Sequence, residues 1–313
     1  MIPSQRDVQQ AFDRVRPHVH QTPVLTSRLL DELSGASIFF KCENFQKMGA
    51  FKMRGAINAI LQIPQADQAK GVVTHSSGNF AQAVSLAAKN LGIPAYIVMP
   101  NNAPQVKKDA VVSYGGIIYE SEANIAAREA MASQIQNKTG ATFLHPSNHK
   151  DVILGQGTAA IELLQEQPSL NSIITPVGGG GLLAGSALAA KYYGSSIGVY
   201  AGEPFNADDG YRSLQSGKIE YNTTVNTIAD GLRTHLGDKN FPIIKTLVTD
   251  IIRVEEQEII AAMKLLWERL KIIIEPSCAV PFAALLKDKK TFAGKKVGII
   301  LSGGNVDLTN LPF

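Results

Sequence analysis

The sequence predicts an α/β protein built on open, mostly parallel sheets that are flanked by helices. From residue 71 onward, short β-rich runs alternate with helical runs, which is the rhythm of βαβ units. Some apolar runs end in a Gly- and Ser-rich turn that opens the next helix, as in PVGGGGLLAG at 176–185. We therefore expect parallel strands whose carboxyl ends lie together at one edge of a sheet.

The first alternating series covers residues 71–140. Its predicted strands are GVVTH, PAYIVMP and GIIYE, at 71–75, 94–100 and 116–120. Its predicted helices are at 79–92, 103–115 and 123–140. Each helix follows a strand directly, so the three pairs read as βα units of one parallel sheet.

A second series follows the polar stretch HPSNHKD at 145–151, which is a plausible domain boundary in a chain of 313 residues. Helices are predicted at 151–167 and 178–194, and strands at 171–177 and 197–204. Further apolar segments lie at 251–270, 275–287 and 295–304. The chain is therefore expected to be α/β throughout.

The composition argues against several classes of protein. Lys and Arg outnumber Asp and Glu by 30 to 27, without a basic block, so no nucleic-acid partner is expected. The longest apolar stretch, at 181–190, is roughly half of what a bilayer crossing needs. The N-terminus lacks the apolar segment of a signal peptide. We expect a cytoplasmic protein with no membrane contact.

The glycine turn at 178–181 is the first candidate site. Glycines let the backbone approach an anion closely, and the following helix start supplies free N–H groups and a positive dipole end. A phosphate seat is the favoured interpretation, and a purely structural turn is the alternative. A nucleotide-dependent oxidoreductase is a further alternative, although no ribose-binding acid stands at a suitable distance.

Two more polar turns follow predicted strands. SSGNF at 76–80 opens a helix, and LSGGNVD lies at 301–307. Helix capping and an ordinary turn explain each of them alone. Because ligands gather at the carboxyl ends of parallel strands, we expect these turns and the glycine turn to converge on one crevice.

The segment NFQKMGAFKMRGA at 44–56 carries three cations. Lys47 and Arg54 are expected to be solvated. Lys52 lies between Phe51 and Met53, where desolvation would lower its pKa and leave the free amine as a nucleophile. A surface lysine with a buried stem is the alternative.

The whole chain resembles the fold-type II pyridoxal-phosphate enzymes, specifically the serine racemase and serine/threonine dehydratase family. Eight ordered segments carry the resemblance, namely KCENFQKMGAFKMRGA, THSSGNFAQA, LGQGTAAIEL, PVGGGGLLAG, GEPFNADD, TIADGL, IEPS and LSGGNVDLT. The resemblance implies two domains, a large one at 1–62 and 148–313 and a small mobile one at 63–147. It also implies a homodimer.

The resemblance assigns roles to individual residues. Lys52 is similar to the lysine that binds pyridoxal phosphate covalently, and Ser77 to a second acid/base on the opposite face of the ring. Asn79 would bind the ring oxygen, and Ser302 the ring nitrogen. The other expected cofactor contacts are Phe51, Gly178, Gly179, Gly180 and Gly181, and the expected substrate contacts are Ser76, Ser77, Gly78 and Asn79.

GEPFNADD adds a metal hypothesis. Glu203, Asp209 and the backbone carbonyl of Ala207 match the oxygen-only cation site of serine racemases, which suits Mg²⁺, Mn²⁺ or Ca²⁺. The alternative is that Asp208 or Asp209 caps the next helix.

The expected activity is dehydration of L-serine or L-threonine to a 2-oxo acid and ammonia, with serine racemase activity as a companion. Alternatives are an L-threo-3-hydroxyaspartate ammonia-lyase, a β-replacing synthase and, outside enzymes, an amino-acid-binding module. Met48, Ala50 and Phe80 depart from the usual family residues, which leaves the preferred substrate open.

Overall fold

The computed structural model describes residues 2–313 and distributes ten strands over two sheets. One sheet contains β1 (Val24–Leu25), β2 (Ser37–Cys42), β7 (Ser172–Pro176), β8 (Gly198–Pro204), β9 (Asp250–Val254) and β10 (Lys296–Leu301), in the order β1-β2-β10-β7-β8-β9. The other contains β3 (Val72–His75), β4 (Ala95–Pro100), β5 (Ile117–Ser121) and β6 (Thr142–Phe143), in the order β5-β4-β3-β6.

Helices alternate with these strands along the chain. The first seven are α1 (Gln5–Val15), α2 (Arg28–Ser34), α3 (Lys52–Ile60), α4 (Gln65–Gln68), α5 (Asn79–Asn90), α6 (Gln105–Ser113) and α7 (Ile125–Thr139). The other seven are α8 (Lys150–Glu166), α9 (Gly181–Tyr193), α10 (Asp209–Ser216), α11 (Phe241–Leu247), α12 (Glu256–Leu270), α13 (Pro276–Lys287) and α14 (Lys289–Phe292). Short 3₁₀ turns join several of them.

Both sheets are mostly parallel. β3 pairs in parallel with β4 and β6, and β10 pairs in parallel with β2 and β7. Within residues 2–313 only the short β1 runs antiparallel, against β2. All five residues of β7 are buried, as expected for a central strand that is covered on both faces. The predicted α/β class with two such sheets is confirmed.

Two hydrophobic cores cover the six-stranded sheet. One contains buried residues of α8, α9 and α11, and the other contains buried residues of α12 and α13. A third core unites α5, β3 and β4 with the buried face of α3. Because α3 also packs on α8, the helix that starts at Lys52 lies at the junction of the two sheets. The limits 63–147 for a small mobile domain remain a prediction.

Close helix packing at this junction depends on glycine. A Cβ on Gly155 of α8 would lie 2.4 Å from the carbonyl oxygen of Arg54 in α3, and a Cβ on Gly157 would lie 2.4 Å from that of Gly185 in α9. Backbones this close leave no space for a larger residue. The contacts therefore fix α3, α8 and α9 against one another.

In the part of the chain that the structure describes, no helix is both long enough and apolar enough to span a bilayer.

Candidate active site

Lys52 is the first residue of α3, and its side chain is half-buried. Nζ donates a hydrogen bond to the backbone carbonyl of Pro146 at 2.9 Å and lies 5.0 Å and 5.7 Å from the ring centroids of Phe51 and Phe80. Burial lowers the pKa of Lys52 to about 8, while the nearby charge of Glu275 opposes that shift. A substantial fraction of the amine is therefore neutral near pH 8, as a nucleophile or base requires.

The segment before Lys52 is joined to the turn after β10. Residues 48–51 contact residues 302–305 through three hydrogen bonds to backbone carbonyls and one β-bridge, which joins Ala50 and Gly303. The hydrogen bonds run from Phe51 N to Ser302 O at 3.0 Å, from Gly304 N to Gly49 O at 2.9 Å, and from Asn305 Nδ2 to Met48 O at 2.9 Å. The lysine segment therefore lies directly against the LSGGNVD turn, a contact that the sequence did not predict.

The glycine turn connects β7 to α9. Cβ atoms at Gly179 and Gly181 would lie 2.3 Å from Ser147 Oγ and from Gln156 Oε1, and one at Gly178 would lie 2.7 Å from the Leu232 backbone. Gly180 has a φ of +76°, in the left-handed region that favours glycine. No side chain caps the N-terminus of α9 within the described residues. The turn therefore offers free backbone N–H groups to an anion.

The loop at 145–148 links Lys52 to this glycine turn. The carbonyl of Pro146 accepts from Lys52 Nζ and, at 3.2 Å, from Gln156 Nε2, while Ser147 Oγ lies against Gly179. His145 Nδ1 accepts the backbone N–H groups of Ser147 and Asn148 at 3.2 and 2.9 Å. Burial lowers the pKa of His145 to about 4, so a neutral imidazole holds the loop in place.

Asn79 begins α5 and faces Glu275. Its Nδ2 donates to the two Glu275 carboxylate oxygens at 2.9 and 3.1 Å, and its Oδ1 accepts from Asn305 Nδ2 at 2.8 Å. Ser302 is buried one residue before Gly303, whose Cβ would lie 2.9 Å from Glu275 Oε1. Lys52, Asn79 and Ser302 are therefore grouped around Glu275.

Ser76, Ser77 and Gly78 form the turn between β3 and α5 and are half-buried. Ser76 Oγ accepts the Gly78 N–H at 3.4 Å, which fixes the turn locally. This places Ser77 in the turn that leads directly to Asn79. Its role as an acid/base stays a prediction.

The predicted cation ligands lie at a separate place, at the start of α10. Glu203 and Asp209 are fully buried, and burial raises the pKa of Glu203 well above its usual value and that of Asp209 to about 6. Ala207 is buried in the turn between them. Among residues 2–313, no group of three or more His, Cys, Asp or Glu side chains is arranged to hold a metal.

The alternative that Asp208 caps α10 is wrong. Asp208 makes no capping hydrogen bond and instead binds Arg212 and Arg253, at 2.8 and 2.9 Å. Glu203 accepts the N–H groups of Gly210 and Tyr211, at 2.9 and 2.7 Å, and so caps α10 itself.

Arg54 corrects the expectation of a solvated side chain. Its guanidinium is fully buried and makes two hydrogen bonds to Glu43, at 2.7 and 2.8 Å, and two to Glu162, both at 2.8 Å. Lys41 adds a 2.8 Å contact to Glu162. Burial raises the pKa of Glu43, but the charge of Arg54 outweighs it and holds the pKa below its usual value. Lys47 is half-buried and donates to the His18 carbonyl at 2.8 Å.

Comparison with known proteins identifies the family. The family model described as "Pyridoxal-phosphate dependent enzyme" matches residues 15–303. The chain belongs to this family. Its residues fit the cofactor, because the loop at 145–148 connects an amine with a lowered pKa to a glycine turn that excludes every Cβ and offers N–H groups to a phosphate.

Several relatives match over nearly their full length. A β-hydroxyaspartate dehydratase of Paracoccus denitrificans is 47% identical over 312 residues, covering 100% of this chain and 99% of the relative. A serine racemase of Arabidopsis thaliana is 50% identical over 311 residues, covering 97% and 93%. The crystal structure of serine racemase from Dictyostelium discoideum matches with a TM-score of 0.94 and 49% identity, covering 98% and 100%. The fold-type II resemblance is confirmed.

The sequence analysis gave no role to Glu275, Asn305, Pro146 or His145. The motif IEPS, which contains Glu275, was recognised as a family segment only. The signal for Glu275 was an acidic residue directly before Pro276, the first residue of α13. That signal does not identify its partner Asn79, which lies 196 residues away in the sequence.

Proposed function

We propose that this protein is a pyridoxal-phosphate dependent ammonia-lyase that converts L-serine or L-threonine to a 2-oxo acid and ammonia, with serine racemisation as a companion activity. The observation that carries the proposal is the Lys52 amine, whose pKa is lowered to about 8 by desolvation and whose Nζ is bonded to the loop that contacts the glycine turn. Relatives that share about half of the sequence include a β-hydroxyaspartate dehydratase and a serine racemase.

The proposed cofactor contacts combine the family resemblance with the positions of these residues. The N–H groups of the glycine turn and of the α9 N-terminus would hold the phosphate, and Lys52 would bind the aldehyde carbon. Asn79 would donate to the ring oxygen, Ser302 would face the ring nitrogen, and the Phe51 ring would pack close by. When bound, pyridoxal phosphate supplies a ring that withdraws electrons from the Cα of an amino acid.

Lys52 and Ser77 would move protons at Cα. A neutral Lys52 amine can take the proton from one face, and the Ser77 hydroxyl can return one to the other face, which inverts the centre. If the β-hydroxyl instead takes up a proton and leaves as water, the remaining enamine reacts with water to give the 2-oxo acid and ammonia. The neutral Ser302 hydroxyl, unlike a carboxylate, does not hold a proton on the ring nitrogen, which favours elimination over transamination.

Closure of the small domain at 63–147 over the substrate would exclude water. Polar contacts between this segment and the rest of the described chain include those of Asn79 and an ion pair of 2.6 Å between Lys107 and Asp230. We place the protein in the cytoplasm, where two subunits would pair as a homodimer. Phe45, Ile273 and Leu308 are exposed apolar residues that a second subunit could cover.

A cation at Glu203, Ala207 and Asp209 is the second part of the proposal. Two buried carboxylates with raised pKa values need positive charge nearby, and a hard ion such as Mg²⁺, Mn²⁺ or Ca²⁺ would supply it. The site would stabilise the turn before α10 and would take no part in the proton transfers.

L-threo-3-hydroxyaspartate is a second candidate substrate, because a relative with 47% identity is a β-hydroxyaspartate dehydratase. A β-replacing synthase is a further alternative, which would form product only when a second nucleophile is supplied.

The deciding experiment measures 2-oxo acid release from equal concentrations of the three L-substrates by purified protein with pyridoxal phosphate and Mg²⁺. Pyruvate or 2-oxobutyrate as the main product supports the primary proposal, whereas oxaloacetate supports the second candidate. No 2-oxo acid from any substrate contradicts both.

A further inference from the structure

Three side chains form a hydrogen-bonded chain beside Lys52. Asn305 Nδ2 donates to the Met48 carbonyl at 2.9 Å and to Asn79 Oδ1 at 2.8 Å. Asn79 Nδ2 in turn donates to Glu275 at 2.9 and 3.1 Å. The chain thus runs from a backbone carbonyl in the lysine segment to a buried carboxylate at the start of α13.

The two ends of this chain determine its direction. The Met48 carbonyl oxygen only accepts hydrogen bonds, so Asn305 must turn its NH₂ group toward it and toward Asn79 Oδ1. The Glu275 carboxylate, when ionised, likewise only accepts from the NH₂ group of Asn79. A reversed Asn79 would place Oδ1 against the carboxylate of Glu275 and Nδ2 against the Asn305 NH₂ group. Both contacts would be repulsive, and a buried carboxylate would lose its donor. The orientation of the Asn79 amide is therefore fixed.

The backbone around the chain is itself unusual. Met48 has a φ of 57°, a left-handed conformation that is rare for a residue with a side chain and costs about 1 kcal/mol or more. This conformation directs the Met48 carbonyl toward Asn305. A Cβ on the following Gly49 would lie 2.7 Å from Asn305 Oδ1, so the amide is also confined sterically.

Charged groups from three elements act on Glu275. They are Lys52 of α3, Asp230 of the 3₁₀ turn at 230–232, and Lys107 of α6. Burial, followed by the charge of Asp230, raises the pKa of Glu275 to about 7. The Asn79 amide is the only side-chain donor to this carboxylate within residues 2–313.

We propose that Glu275 is a positioning residue that acts through Asn79. By holding one N–H of the Asn79 amide, Glu275 presents the other N–H to the ring oxygen of the cofactor, and Asn305 secures the same orientation from the opposite side. The inference rests on the proposed contact between Asn79 and the ring oxygen. Glu275 is the acceptor that fixes Asn79, and the SSGNF turn at the start of α5 gives no sign of that partner.

The test is a double-mutant cycle on the apoprotein with pyridoxine 5′-phosphate. This probe has the phosphate and the ring oxygen but no aldehyde, so its affinity reports non-covalent contacts without any turnover. We expect Asn79→Ala to weaken binding about tenfold, as loss of a hydrogen bond to a charged group does. Glu275→Gln should weaken it less, because the Gln carbonyl oxygen still accepts from Asn79 but carries no charge. In the Asn79→Ala background, Glu275→Gln should have no further effect, because a residue that acts through Asn79 has nothing left to position.

Asn305→Ala is the second variant and approaches Asn79 from the other side. It should also weaken binding in the wild type and have no effect in the Asn79→Ala background. Glu32→Gln, on an exposed glutamate of α2, is the matched control and should leave affinity unchanged. Thermal unfolding of each apoprotein separates a loss of fold from a loss of contact.

Two results overturn the proposal in distinguishable ways. If Asn79→Ala leaves affinity unchanged, the contact between Asn79 and the ring oxygen is wrong. If Asn79→Ala weakens binding but the Glu275 effect adds fully to it, Asn79 is a cofactor contact and Glu275 acts by another route.

Discussion

Lys52 and Arg54 are two cations of the first turn of α3, the first half-buried and the second fully buried, with opposite surroundings. Arg54 is bonded to two carboxylates through four hydrogen bonds. Lys52 Nζ is bonded to one backbone carbonyl and lies near two aromatic rings. Two residues along a helix turn the side chains to opposite faces. Arg54 faces α8 and the 3₁₀ turn after β2, whereas Lys52 faces the loop at 145–148.

The difference shows how one helix holds a permanent charge and a reactive amine. Paired carboxylates keep Arg54 charged and anchor α3, so the backbone of Lys52 is fixed without help from its side chain. Desolvation without a directly bonded carboxylate leaves Lys52 able to lose its proton near pH 8.

The largest effect is expected from removing the reactive amine. Lys52→Ala should abolish both 2-oxo acid formation and the visible absorption band of the bound cofactor, because no other lysine lies in the same place. Absorption spectra and product assays on the purified variant measure this. Lys47→Ala, in the same segment, should retain both, and a Lys52→Ala protein with an unchanged band would contradict the assignment.

Removing the second acid/base comes next. Ser77→Ala should lower D-serine formation from L-serine about 10²–10⁴-fold, the usual contribution of a positioned proton donor, while some 2-oxo acid formation remains. Chiral chromatography and a 2-oxo acid assay on the same samples give the two rates. Equal loss of both activities would argue against separate roles for Lys52 and Ser77.

The two cations of α3 should affect stability in opposite directions. Arg54→Met leaves Glu43 and Glu162 buried without their partner and should destabilise the apoprotein by about 3–5 kcal/mol. Lys52→Met removes a buried charge and should stabilise it by up to about 3 kcal/mol at pH 7, from the size of its pKa shift. Urea unfolding of both variants gives these values. A destabilised Lys52→Met would show that the amine is not desolvated.

The sign of the pH dependence follows from the lowered pKa of Lys52. The cost of keeping its charge is fully present below about pH 8 and disappears as the pH rises toward the unfolded value of 10.5. The gain from Lys52→Met should therefore shrink between these pH values. The rate at which apoprotein and pyridoxal phosphate form the visible band should rise through about pH 8, and a midpoint near 10 would rule out a depressed pKa.

The smallest effect is expected away from α3, at the proposed cation ligands Glu203 and Asp209. Mg²⁺ in place of a chelator should raise the melting temperature by about 2–4 °C, since binding to the folded state alone adds roughly 1 kcal/mol or more. Asp209→Asn should remove this response. Equal melting temperatures with Mg²⁺ and chelator would leave Glu203 as a helix cap only.

Local patterns predicted much of the fold, and distant contacts account for what they missed. β3, β4, β5 and β7 and the helices between them follow from alternation along the chain. The role of Lys52 was predicted because Phe51 precedes it and because it lies in a segment that resembles the family, KCENFQKMGAFKMRGA. Arg54 was misjudged because its partner Glu162 lies 108 residues away, and nothing in its own segment reveals that pairing.

The most direct test of the central claim is to reduce the holoprotein with borohydride, digest it and locate the cofactor by mass spectrometry. The account predicts the added mass on the peptide that contains Lys52, with Lys47 unmodified. Cofactor mass on Lys47 or on any other lysine would contradict it.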